Sequence, residues 1–343
     1  MRILIDILHP AHVHFFRHFR TEMVNRGHEV LVTARDKDLT LELLAAFDIP
    51  ATILSTQRRG RLGLARELLG RTRRLGVEVR RFRPDVLVGI MGPSIALVGR
   101  WRRLPAVVFY DTENATATNR WVYPMAAAVC TPDCYSAPVR GNHITYPGYH
   151  ELAYLHPARF TPDRGLLAAA GIGSGERFSV VRFVGWQASH DLGERGLGAE
   201  AKHRLVEGLA RRGRVFVSSE GPLPAGLPAA PIPLPAAQIH HLIAAAEIVV
   251  GESATMASEA AVLGVPAVLV VDTGRGYTDE QERRYGLVRR VAPDDAAGVT
   301  AAVDEFLSGD RTRFEVARRR LLDDKIDVTA WMEGWFSGRR WER

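Results

Sequence analysis

Short runs of β-branched and other apolar residues alternate with longer segments of helical periodicity along the whole chain. Such alternation is typical of parallel β-sheets that are covered by helices on both faces. The apolar runs predict nine strands: residues 3–7, 29–33, 85–90, 106–110, 127–131, 178–183, 214–218, 248–251 and 267–271. No internal repeat at solenoid spacing interrupts this pattern. The pattern therefore predicts an α/β protein.

The predicted strands fall into two series, separated by residues 146–175, which are rich in Gly and Pro. We expect two Rossmann-like, doubly wound domains facing a cleft, an N-terminal domain of residues 1–158 and a C-terminal domain of residues 159–343. Six prolines predict a loop over residues 221–235. Residues 294–341 have a helical pattern throughout, and we expect these helices to pack back on the N-terminal domain.

Composition narrows the class of protein. Of the 343 residues, 46% are hydrophobic and 24% charged, a balance typical of soluble globular enzymes rather than of disordered or fibrous chains. The opening apolar segment and the longest apolar run, residues 260–271, are both interrupted, which predicts neither a signal peptide nor a membrane span. Two cysteines, Cys130 and Cys134, are too few for a disulfide framework. A cytoplasmic location is expected.

The positive charge is concentrated in one segment. The chain has a net charge of +6, and residues 58–83 hold ten arginines against Glu67 and Glu78. Apolar residues recur in this segment at helical spacing: Leu68, Leu75, Val79 and Phe82. This spacing predicts a helix with an apolar inner face and outward arginines. Such a face is either solvated or contacts anionic partners. Nucleic acid is disfavoured because no aromatic residue of this segment precedes Phe82, so contact with phosphates or lipid headgroups is favoured over base stacking. Peripheral contact with the inner face of the membrane is one option.

The loop after the first strand, 'DILHPAHVHFF', lies where a dinucleotide-binding domain has G-x-G-x-x-G. It contains His9, Pro10, His12 and His14 instead, so no nicotinamide or flavin cofactor is expected. The histidines lack the further ligands of a metal site. His12 is a candidate general base because imidazole titrates near neutral pH. A structural role, in which His12 and His14 cap and pack the loop, accounts for these histidines equally well.

Asp111, Glu113 and Asn114 follow the predicted strand 106–110. Neighbouring carboxylates can shift each other's pKa and leave one of them able to act as a base. A turn rich in Asp and Asn needs no such role.

The segment 'VVGESATMASEAAVLGVPAVLVV' predicts a strand that ends at Gly251 and a helix that begins at Ser253 or Ala254. Exposed amides and the helix dipole at such a start can hold a diphosphate, with hydroxyls from Ser253 and Thr255. Glu259, one turn later, could accept hydrogen bonds from a ribose. The alternative is an ordinary capped helix with Glu259 on a solvated face.

Residues 238–271 resemble the nucleotide-sugar segment of GT-B glycosyltransferases, such as the enzyme that adds N-acetylglucosamine to lipid-linked peptidoglycan precursor. They also resemble the corresponding segment of UDP-N-acetylglucosamine 2-epimerases. Both families have a small-residue turn and a ribose-binding Glu before Gly-x-Pro, which here are residues 251–255, Glu259, Gly264 and Pro266.

The chain as a whole, over roughly residues 1–300, resembles an archaeal and bacterial family of unknown function, domain-of-unknown-function family 354. The motifs that carry this are 'HPAHVHFFR', 'DTENATATNRWVYPMA', 'YPGYHELAYLHP' and 'VRFVGWQASHD'. The resemblance strengthens the expectation of a GT-B fold and brings no proven activity.

The glycosyltransferase resemblance implies a metal-independent transferase that moves a sugar from a nucleotide-diphosphate donor to an acceptor hydroxyl. The donor would be a UDP-sugar. A lipid-linked acceptor in cell-surface glycan synthesis is one option. The resemblance implies roles for individual residues: Arg182, Ser253, Ala254, Thr255 and Met256 near the diphosphate, Ser218, Ser219 and Gly251 lining the cleft, Glu280 and Gln281 near the donor sugar, and His12, Asp111 or Glu113 as base. His190 would lie near the donor phosphates. A nucleotide-sugar 2-epimerase or hydrolase is the main alternative, and a non-catalytic anion-binding protein is the other.

Overall fold

The computed structural model describes residues 1–58, 60–114, 116–185 and 196–339. His190 and Asp191, which the sequence placed near the donor phosphates, lie outside the described residues. The chain forms two compact units: unit 1 comprises Met1–Tyr154 and Ile326–Arg343, and unit 2 comprises Leu155–Lys325.

Unit 1 is built on a seven-stranded parallel sheet with the strand order β3-β2-β1-β4-β5-β6-β7. Its strands are β1 (Arg2–Ile7), β2 (Glu29–Asp36), β3 (Ala51–Thr56), β4 (Val86–Ile90), β5 (Ala106–Phe109), β6 (Ala128–Pro132) and β7 (His143–Tyr146). Its helices up to the unit boundary are α1 (Pro10–Asn25), α2 (Thr40–Ala46), α3 (Arg61–Phe82), α4 (Pro93–Arg102), α5 (Thr116–Val122) and α6 (Leu152–Leu155). A 3₁₀ turn, Tyr123–Met125, follows α5.

Unit 2 is built on a six-stranded parallel sheet with the order β10-β9-β8-β11-β12-β13. Its strands are β8 (Phe178–Phe183), β9 (Arg214–Ser219), β10 (Ala230–Pro231), β11 (Ile248–Gly251), β12 (Ala267–Val270) and β13 (Val288–Val291). Its helices are α7 (Arg164–Ala169), α8 (Ala199–Ala210), α9 (Ile239–Ala245), α10 (Ala254–Leu263), α11 (Gly276–Glu280), α12 (Ala296–Leu307) and α13 (Thr312–Asp324). A 3₁₀ turn, Ala236–Gln238, and a π-helical turn, Gln281–Tyr285, complete it, and α14 (Val328–Ser337) returns to unit 1.

All nine predicted strands are confirmed, with ends that shift by at most three residues. The four strands that the sequence did not predict, β3, β7, β10 and β13, are the two edges of each sheet. An edge strand is covered less completely, so its sequence mixes apolar with polar or exposed positions. In β13, for example, two exposed arginines separate two buried valines. The predicted loop over residues 221–235 is confirmed except for the two residues of β10.

The prediction that the arginines of the basic segment face outward is wrong for Arg71. Arg71 is only 3% exposed, and its guanidinium pairs with Asp6, which is 1% exposed at the end of β1. It also donates to the Ala34 carbonyl and to Ser55 Oγ, both at 3.1 Å. Leu75 of the predicted apolar face is fully buried. Helix α3 is therefore joined to the sheet by a buried ion pair as well as by apolar packing.

In the described part of the predicted helical segment, residues 294–339, the chain forms three helices, α12, α13 and α14. Asp295 caps α12 and Asp327 caps α14 through hydrogen bonds from backbone amides. Within unit 1, α14 packs on α1: the Phe336 and Phe19 rings lie 5.0 Å apart, and Arg26 lies 2.7 Å from a Glu333 oxygen. Among the described residues, no helix combines the length and the apolar character that crossing a bilayer requires.

Each sheet reverses its winding at one place, between β1 and β4 in unit 1 and between β8 and β11 in unit 2. In open parallel sheets, ligands bind beyond the carboxyl ends of the strands at such a switch point. These two places define where a functional site is to be sought.

Candidate functional site

Gly251 ends β11 at the switch point of unit 2 and brings this strand close to β8. It pairs with Arg182, and a Cβ at position 251 would overlap the carbonyl oxygen of Arg182. The next amide, of Glu252, donates to that carbonyl at 2.9 Å. Only glycine permits this approach. The start of α10 is thereby held next to the end of β8.

Helix α10 begins with Ser253 as its N-cap, whose Oγ accepts a hydrogen bond from the Met256 amide at 3.3 Å. Within the described ranges, the amides of Ala254 and Thr255 make no hydrogen bond. The side chains of all four residues are half-buried, whereas the helix becomes fully buried from Ala257 onward. A helix start with unsatisfied amides and a partial positive charge can bind an anion.

Arg182 lies near the end of β8 and is held by two side chains, one in β9 and one directly after it. Its guanidinium donates to Ser218 Oγ at 2.6 Å and pairs with Glu220. The Arg182 side chain is 22% exposed. Ser219 instead bonds locally, because its Oγ donates to the Gly221 carbonyl at 2.8 Å. The structure thus joins Arg182 to Ser218, with Glu220 offsetting part of the arginine charge.

Glu252 is a residue of this site that sequence reasoning missed. Its side chain is fully buried, and its two carboxylate oxygens accept hydrogen bonds from the amides of Val184 at 2.7 Å and Leu197 at 2.6 Å. Lys202 Nζ lies 4.0 Å away. The only signal in the sequence is an acidic residue directly after a buried strand. Glu252 fixes the backbone that follows β8.

Glu259 is 5% exposed and lies 2.9 Å from Nε2 of His240, which is 1% exposed. The alternative that placed Glu259 on a solvated face is therefore wrong. Since the His240 ring comes from α9, the pair joins α9 to α10.

Glu280 and Gln281 end α11 and enter the following π-helical turn. Glu280 pairs with Lys325 Nζ at 2.8 Å and Arg284 at 3.6 Å. Gln281 is fully buried and its Nε2 donates to Ser258 Oγ on α10 at 2.8 Å. The structure therefore brings Gln281 to α10 and directs Glu280 toward Lys325.

At the switch point of unit 1, His12 lies in the first turn of α1 and is 8% exposed. The pKa of His12 is held well below its usual value, mainly by burial and secondly by the charge of His9. Its Nδ1 accepts the Leu8 amide at 3.2 Å. The ring is consequently neutral at physiological pH, with its hydrogen on Nε2.

Asp111 follows β5 and pairs with His150, whose Nδ1 lies 3.0 Å from Asp111 Oδ2. Burial alone would raise the pKa of Asp111, but the charge and hydrogen bond of His150 lower it to about 2. Thr112 Oγ1 also donates to Asp111, at 3.0 Å. Asp111 is thus a carboxylate held by His150 and Thr112.

Glu113 lies against a different part of unit 1, because its Oε1 accepts from the Ser136 amide at 3.3 Å. Of the three proposed bases, His12 and Asp111 are in electrostatic contact with each other. His150 pairs with Asp111 and acts electrostatically on His12, and it was not identified from the sequence. Its only signal was its position in 'YPGYHE', which follows the edge strand β7.

Comparison with solved structures identifies the fold. The chain is similar to UDP-GlcNAc 2-epimerase from Neisseria meningitidis bound to UDP-GlcNAc, with 13% identity, a TM-score of 0.74 and coverage of 99% of this chain and 100% of that one. It is similar to Acinetobacter baumannii MurG, with 15% identity, a TM-score of 0.59 and coverage of 99% and 100%. It is also similar to CalG4, the calicheamicin glycosyltransferase, with 17% identity, a TM-score of 0.58 and coverage of 98% and 97%. The chain has the GT-B fold of these proteins.

The particular family is matched over part of the chain. Residues 1–157 match the model of the family described as "Protein of unknown function (DUF354)". This confirms the resemblance seen in the sequence for unit 1. No curated protein sequence matches this chain.

Proposed function

We propose that this protein is a metal-independent GT-B glycosyltransferase that moves a sugar from a nucleotide-diphosphate sugar, with a UDP-sugar as donor, to an acceptor hydroxyl. One observation carries the proposal: α10 begins at the switch point of unit 2 with two amides, of Ala254 and Thr255, that have no hydrogen-bond partner among the described residues, beside the end of the strand that holds Arg182. This combination suits a diphosphate.

In the proposed reaction, the amides of Ala254 and Thr255 hold the diphosphate, and Arg182 offsets the charge that develops as the bond to the anomeric carbon breaks. The donor phosphates compete with Glu220 for the Arg182 guanidinium. One preorganised donor of this kind is worth roughly 3 kcal/mol of transition-state stabilisation. Fixed dipoles and one arginine supply the stabilisation that a metal ion gives in other enzymes.

Three residues are candidates for taking the proton from the acceptor hydroxyl: His12, Asp111 and Glu113. Asp111 gains support from its electrostatic contact with His12, whereas His12 carries its hydrogen on Nε2 and is placed to donate a hydrogen bond rather than to take the proton. For the donor sugar, Gln281 gains support from its bond to α10. For the ribose, Glu259 gains support from its place one turn after Thr255.

The test of donor binding uses thermal unfolding with UDP, UDP-N-acetylglucosamine and other nucleoside diphosphates. A ligand at about one hundred times its Kd should raise the unfolding free energy by about 2.7 kcal/mol. Arg182→Met should lose most of this gain. Arg177→Met is the matched control, since Arg177 is an exposed arginine of unit 2 that pairs with Glu247. A wild-type protein that none of these compounds stabilises would refute the proposal.

A second candidate function, a nucleotide-sugar 2-epimerase or hydrolase, is favoured by the TM-score of 0.74 to the Neisseria epimerase. These reactions use the same donor without an acceptor. Incubation of the protein with UDP-N-acetylglucosamine alone separates the alternatives. Consumption of the donor without an acceptor supports the second candidate, and consumption that requires an added acceptor supports the transferase.

Helix α3 offers a surface for an acceptor held in an anionic membrane. A stripe of exposed residues follows one face of the helix at spacings of three or four: Leu62, Arg66, Leu69, Arg73, Val77 and Arg80. Leu62 is 77% exposed and Leu69 is 68% exposed. Apolar side chains interleaved with arginines on one helix face suit the headgroup region of an anionic bilayer. We therefore include peripheral membrane contact and a lipid-linked acceptor in the proposal.

Sedimentation with vesicles tests this surface. Wild type should bind vesicles that contain phosphatidylglycerol, less so at high salt, and should not bind vesicles of phosphatidylcholine alone. Replacement of both Leu62 and Leu69 by serine should weaken binding, whereas Leu223→Ser, at an exposed leucine of unit 2, should not. Equal binding by all three proteins would exclude α3 as the contact.

A further inference from the structure

His150 is a buried histidine with one ring nitrogen satisfied and the other not. It is 6% exposed and lies between β7 and α6 in unit 1. Its Nδ1 lies 3.0 Å from Asp111 Oδ2, whereas its Nε2 is buried without a hydrogen-bond partner in the described part of the chain. Buried polar atoms in folded proteins are nearly always paired. The unpaired Nε2 atom of His150 therefore indicates that the protein binds a polar group at this position.

The pairing with Asp111 fixes which nitrogen of His150 carries the hydrogen. An ionised carboxylate only accepts hydrogen bonds, so Nδ1 must be the donor. In the neutral ring, Nε2 then carries a lone pair and can accept a proton. Asp111 also stabilises the imidazolium that forms, which is the division of labour in the aspartate–histidine pairs of serine hydrolases.

His12 has the opposite arrangement. Its Nδ1 accepts the Leu8 amide, so its Nε2 carries the hydrogen and can only donate. The charges of both Asp111 and His150 act on His12. Phe15, one turn further along α1, contacts the His150 ring with centroids 4.4 Å apart. One donating and one accepting imidazole nitrogen together match a hydroxyl group, which accepts one hydrogen bond and donates another.

We propose that His150, oriented by Asp111, is the residue that accepts the proton of the acceptor hydroxyl, and that His12 donates a hydrogen bond to the same oxygen. The inference rests on the proposed transferase function. As the hydroxyl O–H bond breaks, the proton passes to His150 Nε2 and the oxygen forms a bond to the anomeric carbon. The nucleoside diphosphate leaves with the electron pair of the bond that breaks. Asp111 is a positioning residue in this step.

The first test reads the tautomers directly, without any substrate. Long-range proton–nitrogen spectra of protein labelled with ¹⁵N in its twelve histidines distinguish the two tautomers, and His150→Asn assigns the His150 signals. We expect His150 with its hydrogen on Nδ1 and His12 with its hydrogen on Nε2. Asp111→Asn should change the His150 signals, and the exposed Asp48→Asn should not. A His150 ring with its hydrogen on Nε2 would overturn the proposal.

The second test separates binding from turnover. His150→Asn keeps a donor near the Nδ1 position for Asp111 but lacks Nε2. It should bind UDP within about twofold of wild type and release UDP from UDP-N-acetylglucosamine, with a membrane-lipid extract as acceptor, roughly a hundredfold more slowly. His28→Asn, at a half-buried histidine of unit 1, is the control. Unchanged UDP release by His150→Asn would overturn the role of His150 alone. Failure of wild type to bind UDP would instead overturn the proposed function, and the role of His150 with it.

Discussion

Arg71 provides the sharpest test of how unit 1 holds its fold. Its guanidinium makes hydrogen bonds to Asp6, to Ser55 Oγ and to two backbone carbonyls, all among buried atoms. Thr33 Oγ1 also donates to Asp6, at 2.6 Å. Arg71→Ala removes the only cation that pairs with Asp6 among the described residues and leaves a buried carboxylate with one hydroxyl as partner.

Breaking a buried ion pair by removing one partner costs about 3–5 kcal/mol, because the remaining charge is neither solvated nor paired. Domains of this size are stable by only about 5–15 kcal/mol, so Arg71→Ala should remove a large part of the stability of unit 1. Urea unfolding followed by tryptophan fluorescence measures this, since Trp121 and Trp331 lie in unit 1. Arg73→Ala, at an exposed position of the same helix, should cost less than about 0.5 kcal/mol.

A second variant separates charge from volume. Combining Arg71→Met with Asp6→Asn removes both charges and keeps much of the packing, and it should recover most of the lost stability. The loss in Arg71→Ala should also be insensitive to added salt, because buried charges are poorly screened. If Arg71→Ala unfolds at the same urea concentration as Arg73→Ala, the ion pair does not stabilise the fold and the reasoning fails.

Three further predictions concern the site. Gly251→Ala places a Cβ on the Arg182 backbone, so it should lower the unfolding free energy by about 1–3 kcal/mol and weaken UDP binding. Gly198→Ala is the control, because a Cβ there meets no other atom, and it should change neither quantity. Calorimetry that finds the two variants alike would contradict this. The pKa of Asp111 falls from 3.8 to about 2 on folding, so its ion pair contributes about 2 kcal/mol that is complete above pH 3.8 and lost as the pH falls through 2. The unfolding free energy of Asp111→Asn should therefore not show this loss at low pH. If its pH dependence were parallel to that of wild type, the ion pair would not be the cause. Glu259→Gln should abolish a preference for UDP over 2′-deoxy-UDP in titration calorimetry if the carboxylate binds the ribose; a preference that survives would remove Glu259 from the ribose site.

The sequence determined the features that depend on near neighbours in the chain. Strands that are buried on both faces, such as β5 and β12, are continuous apolar runs, and such runs are readable without a structure. The start of α10 was readable as well, because Gly251, Ser253 and the small residues after it act within one strand–turn–helix unit. Edge strands such as β3 were missed because partial exposure leaves a mixed pattern.

Only the tertiary structure decided which polar side chains meet. Arg71 finds Asp6 across 65 positions of sequence, and Arg182 finds Ser218 across 36. His150 meets Asp111 because parallel strands bring their carboxyl ends, and the loops that follow them, to the same edge of a sheet. An exposed arginine and a buried one look alike in sequence, since the partner that makes burial tolerable lies on another element. The pairing of charges, and with it the hydrogen-bonding roles of His12 and His150, is therefore a property of the fold rather than of any local segment.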